Sequence, residues 1–292
     1  MSDLGAERGG RRPSPAPLTA LLRRMRQVRN RAREDLGFAG IDESRSSPES
    51  AIRADFIHLC RAWKPAVIYE CGSRDARDGL ELAGAVGAEE LHVFECNPPA
   101  IALCQQTLER DRSGLRWQLV PKAVANRSGS LKFRQVIPEF SQTSLPDGNI
   151  GGSSVFTLNP DYPGERLVQN EITVGAITLD DYATTHARPD LLWMDLQGAE
   201  QMVLEGATSV LKTVKVIHLE VMFRPVYLGQ PLFCEIDRLL RRDFDLVRVY
   251  GPRTWWRRAV LRTNRYVPWC HWLRAGRWFR DAVYVRKSSA PA

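Results

Sequence analysis

Three short apolar runs, Val67–Glu70, Leu91–Glu95 and Trp117–Val120, recur with about 20 residues of helical character between them. That is the rhythm of βαβ units and of a parallel sheet. Strands are expected to resume at Asp190–Asp195 and Val214–Met222, bridged by a helix over Glu200–Lys212, where Met202, Val203, Leu204, Ala207, Val210 and Leu211 fall in helical phase. Phe233–Arg242 reads as another helix, and Asp245–Tyr250 and Ala282–Arg286 as further strands. The expected fold class is α/β.

The 292 residues are 43% hydrophobic and 26% charged, the composition of a globular chain with a core to bury. No stretch approaches the roughly 20 uninterrupted apolar residues of a spanning helix, and no apolar signal core follows the Arg-rich start. The six cysteines include no C-x-x-C pair and no histidine at zinc-ligand spacing, so they read as small buried hydrophobes in a reducing cytoplasm, and no metal site is expected.

Charge divides the chain more sharply than composition does. Residues 1–34 carry nine Arg against Asp3, Glu7 and Glu34, a net of +6, and residues 251–292 carry nine Arg and Lys287 against Asp281, a net of +9. With +7 overall, residues 35–250 are left at −8. The basic character belongs to the ends, and nucleic acid is not expected as a partner of the body.

Residues 1–16 read as a disordered tail, and residues 17–50 as a basic amphipathic helix and linker, with Leu18, Leu21, Leu22, Met25, Val28, Ala32 and Leu36 at helical spacing among arginines. Such a helix either packs on the body or meets a membrane surface or a partner. The main domain is expected over residues 51–292. Two stretches interrupt its rhythm. Residues 125–180 are punctuated by Gly and Pro, with short strand-like pieces at Leu131–Val136 and Ile172–Ile177, and suggest a lid or substrate platform; residues 251–280 interleave five Trp with eight Arg. Aromatic faces pack on sugars and Arg forks grip phosphates, so this second insertion suits a glycan, a lipid phosphate or an anionic membrane, or simply covers the sheet; single-stranded nucleic acid would also be served, though no RNA-binding motif is present.

Chemistry is expected at the strand ends. Glu70 leads into Cys71-Gly72-Ser73-Arg74-Asp75, where a glycine lets backbone approach a ligand, and Glu95 ends the second strand where a carboxylate can accept both hydroxyls of a ribose. Asn97 and Pro98 open the next helix. The G-x-G-x-x-G spacing of a dinucleotide site is missing, which argues against, without removing, a nicotinamide-dependent oxidoreductase. Asp195 stands where the fourth of these strands gives way to a turn, as a base or as a helix cap, and Glu220 near the end of the fifth strand is a second catalytic candidate beside His218.

Ile68-Tyr69-Glu70-Cys71-Gly72-Ser73-Arg74-Asp75, followed by Val93-Phe94-Glu95-Cys96-Asn97-Pro98, resembles the opening of the FkbM family of S-adenosylmethionine-dependent methyltransferases. Lys122-Ala123-Val124-Ala125, the pair Ser153-Ser154, Thr178-Leu179-Asp180-Asp181-Tyr182 and Trp193-Met194-Asp195-Leu196-Gln197-Gly198-Ala199-Glu200 resemble it in the same order, over roughly residues 60–286. Glu70 stands where the family has Asp, and Ser73-Arg74 where it often has Ala-Asn. The resemblance implies a Rossmann-like seven-stranded methyltransferase sheet, mostly parallel with its last strand antiparallel. It further implies S-adenosylmethionine as cofactor, with Glu70 and Gly72 framing the methionine portion, Glu95 at the ribose, Lys122 and Ala123 at the adenine, and Ser73, Asp75 and Asn97 as further cofactor-binding residues.

The function expected is O-methylation of a sugar hydroxyl in a glycan, glycolipid or glycosylated metabolite. N-methylation and a non-catalytic scaffold of the same fold stay open. The expected place is the cytoplasm, with peripheral attachment at the inner membrane face through the basic ends. Nothing in the sequence fixes an oligomeric state.

Overall fold

The computed structural model describes residues 48–250 and 278–287, and the architecture below is theirs. Helix α1 (Pro48–Trp63) leads into β1 (Val67–Cys71), followed by α2 (Arg77–Val86), β2 (Glu90–Phe94), α3 (Pro98–Glu109) and β3 (Arg116–Val120). Local chemistry sets the boundaries. Gly87 ends α2 in the left-handed region, its amide returning to the Ala83 carbonyl, and Pro98 and Pro99 open α3, where no amide donor is needed.

Next come β4 (Ala123–Val124), β5 (Gly129–Val136) and β6 (Gln169–Ile177), then α4 (Leu179–Tyr182), β7 (Leu191–Met194) and α5 (Glu200–Glu205). The chain finishes with β8 (Val216–Met222), α6 (Phe233–Leu240), β9 (Phe244–Val249) and β10 (Phe279–Arg286). Seven strands form the main sheet in the order β3-β2-β1-β7-β8-β10-β9, all parallel except β10, which runs antiparallel to both neighbours. The expected Rossmann-like architecture is therefore present.

Alternation along the strands gives two apolar layers. Ile68, Leu191, Val216 and Val283 share one cluster with Phe56, Leu59 and Cys60 of α1 and with Leu82 and Cys104. Tyr69, Met194, Ile217, Leu219 and Tyr284 share the other with Leu179, Val203, Phe233 and Ile236. The chain builds outward from β1 to β3 and re-enters beside β1 with β7. That reversal opens a crevice at the carboxyl ends of β1 and β7, the place where open α/β sheets bind ligands.

The strands expected at Leu131–Val136 and Ile172–Ile177 are present and longer than expected, as β5 and β6. β5 and β6 pair antiparallel from Gly129 opposite Ala176 to Val136 opposite Gln169, and β4 joins β6 in parallel, making a separate three-stranded sheet. The helix expected over Glu200–Lys212 is broken. After α5, Gly206 lies so close to the Ala125 carbonyl that a Cβ would stand 2.3 Å from it, and the Asp180 carboxylate captures the Ser209 and Val210 amides at 2.8–2.9 Å. Those tertiary bonds replace the helical ones, leaving a single 3₁₀ turn at Val210–Lys212. The helix of α6 is also shorter than expected, ending at Leu240.

The expected disordered tail and amphipathic helix, and residues 251–277 of the Trp/Arg-rich stretch, lie outside the described residues. Among the described residues no helix is long and apolar enough to cross a membrane.

Candidate active site

The turn after β1 is pinned from both sides. The Asp195 amide donates to the Cys71 carbonyl at 3.0 Å, and the Gly72 amide donates to the Phe94 carbonyl at 2.9 Å. Gly72 has φ +78°, and a Cβ there would stand 2.0 Å from the Asp195 carbonyl oxygen. Only glycine fits. Beyond it Arg74 and Ala76 also take left-handed φ, at +61° and +62°, and the Ser73 hydroxyl accepts the Ala76 amide at 2.9 Å. Non-glycine residues are held there at a cost of order 1–3 kcal/mol each, which marks a loop shaped for something other than its own stability.

Two buried carboxylates shape that loop. Glu70 is 2% exposed and lies under the first turn of α2, where a Cβ on Gly79 would stand 2.2 Å from its Oε2. Burial raises its pKa to about 8, partly offset by the Ser73 hydroxyl and the Gly79 amide. Glu95 stitches two turns together. Its Oε1 accepts the Cys96 and Asn97 amides at 2.7 and 2.8 Å, and its Oε2 accepts the Arg74 amide at 3.0 Å. Burial raises this pKa too, while the Asn97, Arg74, Cys96 and Ser73 amides oppose the rise.

Asn97 is occupied by the small-sheet segment. Its Nδ2 reaches the Ile150 carbonyl at 3.2 Å and the Ser153 hydroxyl at 3.1 Å, and its Oδ1 accepts from Gln135 at 3.0 Å. Ser154 then donates to the Gln197 carbonyl at 2.8 Å. The serine pair thus straps the β2 end to the loop after β7. Arg74 adds a further tie, with its guanidinium paired to Asp147.

In the β7 loop Gln197 has φ +54° and its Nε2 donates to Asp195 Oδ1 at 2.7 Å. The Tyr227 hydroxyl lies 2.9 Å from both Gln197 Oε1 and the Gly152 carbonyl, which fixes the amide's orientation. Glu200, 3% exposed, closes the loop by accepting the Leu196 amide at 2.8 Å, and burial raises its pKa to about 7. Asp195 is open to solvent in the cleft yet ringed by protein. Its pKa is raised to about 6, first by burial and then by the neighbouring carboxylate of Asp281, against the Gln197 hydrogen bond.

Glu70, Gly72, Ser73, Asp75, Glu95, Asn97, Lys122, Ala123 and Asp195 all line one cleft of about 330 Å³ at the carboxyl edge of the sheet. Glu220 is not among its lining residues. It sits farther along, on β8. Sequence reading missed Trp193 and the strap residues Asn149, Ile150 and Gly151, which also line the cleft, and Tyr227, which orients Gln197. The glycine-rich run 148–152 was the available signal for the strap. Among the described residues no cluster of His, Cys, Asp or Glu converges to hold a metal ion.

A mostly parallel seven-stranded sheet with an antiparallel strand next to its edge, a glycine turn after β1 and a carboxylate after β2 define a methyltransferase that uses S-adenosylmethionine. The Methyltransferase FkbM domain profile matches residues 70–246, and the chain belongs to that family. This sets aside the nicotinamide-dependent oxidoreductase.

A relative, the 2-O-methyltransferase NoeI of Sinorhizobium fredii, is 29% identical over 193 residues, covering 64% of this chain and 75% of that protein. Among solved structures, Sp1610 of Streptococcus pneumoniae, a candidate tRNA (m1A22) methyltransferase crystallised with S-adenosyl-L-methionine, matches at TM-score 0.43 and 10% identity over 84% of this chain and 75% of that one. A Streptococcus thermophilus rRNA methylase matches at 0.39 and 10% identity over 79% and 95%. Likeness at that level says nothing of substrate.

Proposed function

We propose that the protein transfers a methyl group from S-adenosylmethionine to a sugar hydroxyl, with Asp195 as the base. S-adenosylmethionine, when bound, supplies a methyl already activated on a sulfonium. The protein's part is to hold an acceptor oxygen in line and remove its proton. The observation that carries the reading is Asp195 itself. It opens into the cleft beside the Gly72 turn, one oxygen is held by Gln197, and its raised pKa brings it closer to neutral pH, where a general base works best.

In this reading the Gly72, Ser73 and Asp75 turn receives the methionine portion, Glu95 accepts the ribose hydroxyls, and Lys122 and Ala123 flank the adenine. Glu70 acts from beneath the loop as a support, and Asn97 acts by holding the strap. The competing role for Asp195, capping α5, is weakened because Glu200 already takes the Leu196 amide and Asp195 bonds to a side chain instead. Oxygen as the acceptor atom is supported by the 2-O-methyltransferase relative.

Calorimetry with S-adenosylmethionine, S-adenosylhomocysteine and a nicotinamide dinucleotide tests the cofactor assignments. The first two are expected to bind, and Glu95→Ala to weaken both about tenfold, or about 1.4 kcal/mol, through loss of a charged acceptor. Equal affinity in variant and parent would remove Glu95 from the ribose site.

A further inference from the structure

On the face of the sheet that carries Trp193, a row of carboxylates runs across three neighbouring strands. Met194 pairs with Leu219 and Glu220 pairs with Asp281, so Asp195, Glu220 and Asp281 stand level on adjacent strands about 5 Å apart. Among the described residues no Lys or Arg forms an ion pair with any of the three. His218 Nε2 lies 3.9 Å from Asp281 Oδ1, too far for a hydrogen bond.

Buried polar atoms in this row lack partners. His218, with a side chain 9% exposed, turns Nε2 toward Asp281, while its enclosed Nδ1 and the enclosed Glu220 Oε2 have no partner. Leaving such groups unpaired costs about 1–3 kcal/mol each. Toward the row His218 presents Nε2, beside the carboxyl oxygens of Glu220 and Asp281, a mixed set for something that can donate and accept.

Aromatic side chains bound the row on two sides. His218, Trp193 and Phe56 pack at ring distances of 4.6–5.4 Å, one pleat before it. Beyond it Met222 and Tyr227 cluster with Tyr162 and Trp278, whose rings meet edge to face at 5.2 Å. Asp195, at one end of the row, also lines the cofactor cleft together with Trp193, so the row adjoins the cleft there.

We propose that this row is the acceptor subsite, and that Glu220, Asp281 and His218 hold the hydroxyls flanking the one that reacts at Asp195, on a sugar ring packed against Trp278 and Tyr162. A pyranose matches both halves of the arrangement. Its hydroxyls both donate and accept, so they can meet the carboxyl oxygens and either tautomer of a neutral His218. Its apolar ring faces suit the aromatic walls. This rests on the sugar methyltransferase reading above, and makes Glu220 a positioning residue.

The test uses the full chain. A panel of free mono- and oligosaccharides is screened for labelled methyl uptake, and the best acceptor is then titrated by calorimetry into the S-adenosylhomocysteine complex. Glu220→Leu is expected to weaken sugar binding about tenfold, with melting temperature unchanged or raised because a buried carboxyl is gone, while Glu220→Gln, which still donates and accepts, stays within about threefold of the parent. Trp278→Ala is expected to lose about fivefold. S-adenosylhomocysteine affinity should stay within about twofold in all three. Parent-like sugar binding in Glu220→Leu and Trp278→Ala would overturn the subsite while leaving the sugar methyltransferase reading intact. Failure of the parent to methylate any sugar would overturn both.

Discussion

The Asp195 carbonyl oxygen occupies the space that a side chain on Gly72 would need, 2.0 Å from the ideal Cβ position. The turn that receives the cofactor and the loop that carries the proposed base are thus one packed unit. Anything that separates them misplaces the reaction's two halves relative to each other.

Gly72→Ala is accordingly expected to lose measurable S-adenosylmethionine binding and to destabilise the fold by at least the roughly 1–3 kcal/mol of a strained backbone site. Gly84→Ala is the control. Gly84 lies inside α2 with no atom within 4 Å of its would-be Cβ, so it should gain about 0.5–1 kcal/mol and bind normally. Urea titration and calorimetry measure both, and normal binding by Gly72→Ala would break the link between the two loops.

Asp195→Asn should lower turnover by about 100-fold or more while cofactor affinity changes by less than about threefold, since an amide keeps the shape and cannot take a proton. Parent activity should climb as pH rises through about 6, where the raised carboxyl ionises. An unchanged turnover in a variant that merely melts earlier would return Asp195 to a structural role.

Glu70 offers a stability test with a fixed sign. Its folded pKa of about 8 lies above the ordinary 4.5, so the folded state holds a proton that the unfolded state releases between those values. Stability from this group is full below about pH 4.5 and declines as pH rises toward 8. Asp195 and Glu200, raised to about 6 and about 7, add to the same slope at its lower end. Glu70→Gln should flatten the decline in pH-dependent urea melts; an unchanged slope would mean that the carboxyl is ionised in the folded protein.

The strand rhythm and the carboxylates at strand ends were legible because they depend on local pattern alone. Glu95 and Asp195 could be picked out because a strand ending on an acid is visible in a line of letters. What was not legible depends on contacts between distant residues. The break at Gly206 comes from Ala125 and Asp180, the serine strap is defined by Asn97 and Gln197, and the level of Asp281 beside Glu220 exists only once β10 has inserted between β8 and β9. The antiparallel placement of β10 came from family resemblance, since periodicity carries no strand order.

The basic ends make a separate prediction from sequence. Residues 1–34 at +6 and 251–292 at +9 should bring the protein to anionic vesicles, each near-surface Arg adding about 1 kcal/mol that salt screens. In flotation, binding should fall on deletion of residues 1–36 and at raised salt, with little binding to neutral vesicles. Absence of flotation with any anionic lipid at low salt would refute membrane attachment.

The most direct measurement is transfer of a labelled methyl from S-adenosylmethionine into free sugars by the full chain, with the product's methylated atom located by mass spectrometry and NMR. The expected result is label on a sugar oxygen in the parent and about 100-fold less in Asp195→Asn. Label appearing only in nucleic acid or protein, or on a sugar at the parent rate in Asp195→Asn, would contradict it.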